Sequence, residues 1–146
     1  MSSSIGMSAY TYMISFFFFK ENGQTLDLLI CTWFNLSHLT VDISVFFDTL
    51  TIIMLCVVTS VSNCVHTYSG GYMENDPHLI RFLSYLHLFT FFMVLLVTAN
   101  NFLQLFFGWE GVGLCSYFLI GFWYTRIQAN KAAIKAVILN RIGDTA

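Results

Sequence analysis

The sequence predicts an all-α membrane protein, a polytopic bundle of about four transmembrane helices plus an incomplete fifth. Three observations carry that reading. Of 146 residues, 57% are hydrophobic and only 10% charged, whereas about a quarter of a soluble domain is charged. The apolar residues gather in runs that approach the length of about 20 needed to cross hydrocarbon as helix. The runs are continuous, where the strands of a membrane barrel would alternate over about ten residues. The formal charge of −2, from six Lys+Arg and eight Asp+Glu, offers no basic surface to nucleic acid.

The first run, Ile5–Phe19, carries no charge and closes in the polar loop Lys20–Gln24. Without a positive start, a small-residue cleavage site or arginines, it reads as a retained span rather than a targeting peptide. Thr25–Ile43 holds Asp27, Trp33, His38 and Asp42 and is too short and too polar between its acids to span. It is expected at an interface in extended form, so residues 1–43 form an N-terminal span with an interfacial segment. The second span is expected over Ser44–Val65, with Asp48 in its second turn. Tyr68–Ile80, with Gly70-Gly71 and Asp76-Pro77, has the chemistry of a loop. Phe82–Ala99 and Phe102–Trp123 are the third and fourth spans, reversing at Asn100-Asn101. Ala132–Ala146 opens a fifth helix; its length of about 22 Å predicts completion by another chain.

Lys and Arg in short loops orient such a bundle. Arg126 and Lys131, with Lys135 just beyond, make the strongest basic cluster. That side is expected to face the cytoplasm or matrix together with Arg81, leaving Asn100-Asn101 and Lys20 on the opposite face.

An ionisable side chain deep in a span points to function, because burying its charge is costly. Glu110 lies about 12 Å from one end of its span and about 20 Å from the other, flanked by Gly108, Gly111 and Gly113. Hydrocarbon favours its neutral form and a nearby cation its charged form, which suits a proton relay; a Glu held permanently by one neighbour is the bland alternative. Arg141 and Asp144, three residues apart on the fifth helix, share a face and can pair. They are expected to face the bundle interior with Glu110 as a neighbour. Lys135 is placed to snorkel to the interface, and Asp48 suits an interfacial anchor as well as a functional role. These five form the candidate site, Glu110, Arg141 and Asp144 foremost.

No metal or redox centre is signalled. Cys31, Cys56, Cys64 and Cys115 lack Cys-x-x-Cys spacing, and three of them fall in apolar runs where a thiol behaves as a small hydrophobe. His87 stands alone on an apolar helix while His66 and His78 fall in or next to a loop, so no facing histidine pair for haem is expected. Gly108–Gly113 lacks the preceding strand and full glycine pattern of a nucleotide loop.

Two stretches resemble a known family. Gly108-Trp109-Glu110-Gly111-Val112-Gly113-Leu114-Cys115-Ser116-Tyr117, with Phe122-Trp123-Tyr124-Thr125-Arg126 after it, is similar to the chain 5 family of NADH–ubiquinone oxidoreductase, respiratory complex I. Lys131-Ala132-Ala133 and Asn140-Arg141-Ile142-Gly143-Asp144 resemble it too, as do Phe47-Asp48-Thr49-Leu50, Asp76-Pro77 with Arg81-Phe82, and Asn101-Phe102-Leu103-Gln104. The likeness runs from about Phe46 to the end, so residues 44–146 are expected to form part of an antiporter-like, proton-translocating region.

The resemblance implies a membrane subunit contributing a proton half-channel. In it the residue matching Glu110 is protonatable and meets a lysine on a broken helix further along the chain, and those matching Arg141 and Asp144 lie on the same polar axis. It implies a mitochondrial inner membrane, or a bacterial plasma membrane, as the location. It also implies no cofactor in this chain, with NADH, FMN, iron–sulfur clusters and ubiquinone bound by other subunits of the complex. Family members are several times longer, with two inverted repeats. The sequence therefore predicts a longer chain or a second polypeptide that supplies the rest of the chain 5 pattern, alongside other complex I membrane subunits and lipid. A multi-subunit cation/proton antiporter shares these motifs, and an inert membrane scaffold is the third reading.

Overall fold

Leu26–Leu36 and Leu39–Phe47 are rich in Ile, Val, Thr, Phe and Trp, side chains that suit a pleated strand. They pair antiparallel as β1 and β2 around a turn at Ser37-His38. The register is interrupted between Leu29 and Cys31 and between Thr32 and Phe34, irregularities that bend and twist an edge. This is the computed structural model of the chain, and it describes residues 25–145. The expected first span Ile5–Phe19 and the loop Lys20–Gln24 lie outside the described residues.

The extended segment is therefore present, and it runs four residues past Ile43, through Phe47. The second span accordingly starts later than expected. Helix α1 covers Thr49–Tyr72, with Asp48 as its N-cap rather than in its second turn. Asp48 Oδ1 accepts from the Thr49 amide at 2.7 Å, and the Thr51 hydroxyl accepts from the Asp48 amide at 2.6 Å. The carboxylate thus satisfies helix-end donors that the chain itself leaves open. Asp48→Ala is expected to cost about 1 kcal/mol, read as faster amide exchange in the first turn of α1; unchanged exchange there would contradict the cap.

Helix α1 also ends later, absorbing Tyr68 to Tyr72. Gly70 and Gly71 sit inside it with open space around both, consistent with the tolerance of membrane helices for glycine. Helix α2 covers Leu79–Val97, α3 covers Phe102–Ile120 and α4 covers Ile127–Thr145. Helix α3 stops before Phe122-Trp123, and α4 begins five residues before Ala132, giving it a length of about 28 Å rather than about 22 Å. Among the described residues, α1, α2 and α3 are long and apolar enough to cross a membrane. The chain is a multi-pass membrane protein, mostly helical, with a small hairpin.

The face α1 turns inward is Ile52, Leu55, Thr59, Ser62, His66 and Ser69, spaced three or four apart. Its hydroxyls are satisfied locally: Thr59 donates to Leu55 O at 2.7 Å and Ser69 to Val65 O at 2.6 Å. Helices α2 and α3 approach closely because α3 offers glycines. A Cβ on Gly108 would lie 2.9 Å from Leu96 Cα, and one on Gly111 would overlap the Phe92 ring.

The hairpin is latched to the α2–α3 turn. Phe46 N donates to Thr98 O at 3.0 Å and Ser44 N to Gln104 Oε1 at 3.3 Å. Asn101 Nδ2 donates to Asp42 O at 2.6 Å, and Asn100 Nδ2 reaches the Asp27 carboxylate at 3.1 Å. Asp27, Asp42 and Asp48 thus gather at one end of the bundle. At the other, Arg81 lies over the Phe122 ring, 5.1 Å from its centroid.

Candidate functional site

Helix α3 presents Glu110 eight residues from its start at Phe102, about 12 Å along the axis. Helix α4 packs beside it and brings Arg141 into an ion pair with Glu110, Arg141 Nη1 against Glu110 Oε1. One residue before Glu110, the Trp109 indole donates to Asp144 Oδ1 at 2.7 Å. Arg141 and Asp144, expected to pair along their own helix, instead each reach across to α3.

These groups line a cavity of about 620 Å³ between α3 and α4, with Gly113, Ser116 and Tyr117 of α3 also lining it. The small Gly113 leaves room for the α4 side: a Cβ there would meet nothing nearer than Asn140 Nδ2 at 3.8 Å. Arg141 is 62% exposed and Glu110 28%, so among the described residues the pair faces open space on one side. Charged side chains in that position on a membrane protein require a protein or water surround, since hydrocarbon solvates neither.

Lys135 and Asp48 stand apart from this cavity. Lys135 lines a separate apolar groove with Ile134, Ile138 and Leu139 on α4, where a long stem covers apolar surface. Asp48 caps α1 beside the hairpin. Of the four free cysteines, Cys115 is buried and Cys56 half-buried, whereas Cys31 and Cys64 are exposed, so burial in an apolar run holds for only part of the set.

Two features escaped the sequence. The Trp109–Asp144 bond joins residues 35 apart and has no local signal. The second is a facing histidine pair. His66 lies within α1, 4% exposed, and its ring centroid is 4.3 Å from that of His87 on α2. The expectation that no histidines face one another in the membrane is thus corrected; placing the end of α1 at Val65 had removed His66 from its helix face. The rings touch edge to face, with no gap for a macrocycle between them.

Two family models match the chain. Residues 33–83 match the N-terminus of chain 5 of NADH–ubiquinone oxidoreductase, complex I. Residues 99–146 match the transmembrane region shared by NADH:quinone oxidoreductases and Mrp antiporters. The chain is similar to the complex I chain 5 family over both matched regions.

Chain 5 relatives agree along nearly the whole sequence. NADH-quinone oxidoreductase subunit L of Rickettsia bellii is 54% identical over 145 residues, which is 99% of this chain and 23% of that protein. NADH-ubiquinone oxidoreductase chain 5 of Dictyostelium citrinum is 63% identical over 122 residues, 84% of this chain and 18% of the relative. The Phytophthora infestans chain 5 protein is 61% identical over 123 residues, again 84% of this chain and 18% of the relative. The chain therefore spans between 18 and 23% of the length of these chain 5 relatives. Both the Glu110 segment and the Arg141–Asp144 segment fall within the second matched region.

Proposed function

We propose that this chain contributes a proton-translocating half-channel to the membrane arm of an NADH:quinone oxidoreductase, with the Glu110–Arg141 pair as its titrating element. One observation carries the reading. A carboxylate and a guanidinium on adjacent helices meet at an unfilled cavity, where the carboxylate can exchange its cation for a proton. Movement of α4 that brings Arg141 to or from Glu110 is the event this reading couples to proton transfer. Asp144, held by Trp109, offers Arg141 an alternative acidic neighbour one turn along α4.

Lys135 and Asp48 take supporting parts in this proposal, as an interfacial cation and a helix cap. The NADH, FMN, iron–sulfur clusters and ubiquinone of the complex belong to its other subunits. Further protein covers the open side of the Glu110–Arg141 cavity, carrying the rest of the chain 5 pattern and a lysine able to face Glu110. A second polypeptide is one way to supply it. Lipid and other membrane subunits complete the surround. The proposed location is the mitochondrial inner membrane, with a bacterial plasma membrane as the alternative. The acidic ends of the hairpin and α1 then face away from the matrix, and Arg81 and Arg126 face towards it, as the distribution of positive charge requires.

The test is NADH-driven proton uptake by sealed membrane vesicles. Arg141→Gln is expected to reduce translocation per NADH oxidised while the complex still assembles. A scaffold would pump at the wild-type ratio in this variant, and that outcome would overturn the reading. A cation/proton antiporter would move protons without any requirement for NADH.

A further inference from the structure

The α1–α2 seam contains a second titratable pair that the Glu110 reading does not use. His66 Nδ1 contacts Ser62 O at 2.6 Å, and His87 Nδ1 contacts Leu83 O at 2.7 Å. A carbonyl only accepts, so Nδ1 carries the hydrogen in both neutral rings and Nε2 is left as a bare acceptor. Both Nε2 atoms are buried and have no hydrogen-bond partner among the described residues. Bonding Nδ1 back to its own helix turns each Nε2 away from that helix, and the rings lie with centroids only 4.3 Å apart. Two buried acceptors without partners are an expensive arrangement. A proton gained at either Nε2 turns that atom from an orphan acceptor into a donor beside a second imidazole.

We propose that His66 and His87 form a proton-binding site in which the two imidazoles together hold a single proton on their Nε2 side. The proton comes from the aqueous phase and no bond other than N–H forms. In the loaded state one ring is an imidazolium and the other its acceptor, directly or through one water. Two cavities of about 200 and 270 Å³ flank the pair, both lined by Ser62 and Thr90, the first reaching His87 and the second His66. Each is large enough to hold water close to the seam.

A second proton is opposed by the first. No counter-charge faces the pair from any described element around it. Helix α1 carries no charged side chain between Thr49 and Tyr72. On α2 the charged residue is Arg81, stacked on Phe122. On α3 it is Glu110, occupied by Arg141. Asp42 and Asp48 lie at the hairpin end of the bundle, while the pair sits towards the other. His66 is six residues from Tyr72 and His87 eight from Leu79, about 9 and about 12 Å along the respective helices.

The experiment is a pH titration by ¹⁵N solid-state NMR of the full chain in its membrane assembly, with labelled imidazoles. The two resonances are assigned by their loss in His66→Asn and His87→Asn. Across the range in which imidazole titrates, the wild-type pair is expected to take up one proton, shared by both rings. In His87→Asn the His66 midpoint is expected to move by about one pH unit or more, the sign of a coupled pair. Uptake of no proton or of two by the wild-type pair overturns the proposal, as does a His66 curve unchanged by His87→Asn. Should either variant fail to insert, the wild-type proton count alone decides. Glu110→Gln is expected to leave that count at one, so failure of the half-channel reading and failure of the histidine site are separately visible.

Discussion

Glu110→Gln is expected to lower NADH-driven proton translocation by roughly a hundredfold, the lower end of what a positioned proton-transfer group contributes, with the complex still assembled. Glutamine keeps the size of the side chain and a carbonyl oxygen that can accept from Arg141, so the α3–α4 contact retains a hydrogen bond. What disappears is the group that takes and releases a proton. Arg141 does not become a buried uncompensated charge within this chain, because it is 62% exposed and Asp144 lies one turn away. Assembly is read from the intact complex on native gels, and pumping from acidification of sealed vesicles. Wild-type pumping in an assembled Glu110→Gln complex would remove Glu110 from the proton path.

Gly108→Ala is expected to destabilise the bundle by about 1–3 kcal/mol, the usual range for overpacking a filled site. The added Cβ would stand 2.9 Å from Leu96 Cα, and backbone cannot rotate out of the way. Either α2 and α3 separate or the helices shift along one another, and the hairpin latched to Thr98 and Gln104 shifts with them. Gly113→Ala is the internal control on the same helix. Its Cβ meets nothing nearer than 3.8 Å, and alanine gains up to about 1 kcal/mol of helix propensity. Opposite signs for the two substitutions, measured by denaturant unfolding in mixed micelles, would establish the close approach. Equal effects would mean that α2 and α3 are not in contact at Gly108.

The helices were legible because their apolar runs are continuous and end at polar reversals such as Asn100-Asn101. Their ends were harder to read. Gly70-Gly71 signalled a turn, yet a membrane helix carries glycine without breaking, and Tyr72 still lies on α1. The hairpin was partly legible: the polar residues of Thr25–Ile43 excluded a span, but Ser44–Phe47 matches both a strand and the start of a helix. Only the three-dimensional latch to Thr98 and Gln104 distinguishes the two. Glu110 was conspicuous as an acid in an apolar run, and Arg141 was anticipated as its neighbour. Asp144 was paired with Arg141 on spacing alone, which says nothing of the indole one helix away.

The two seams of α3 differ in stiffness. On the α2 side, glycines have been spent to bring backbone against Leu96 and Phe92, leaving no slack for sliding or tilting. On the α4 side lies about 620 Å³ of unfilled space, with the ion pair at its margin. Within this chain α4 is therefore held against α3 less closely than α2 is, and the ion pair bridges the looser seam. Helices α2 and α3, with the hairpin pinned to their turn, act as a fixed wall. Glu110 stands on that wall and Arg141 on the compliant side, so small displacements of α4 become changes in the distance between two opposite charges.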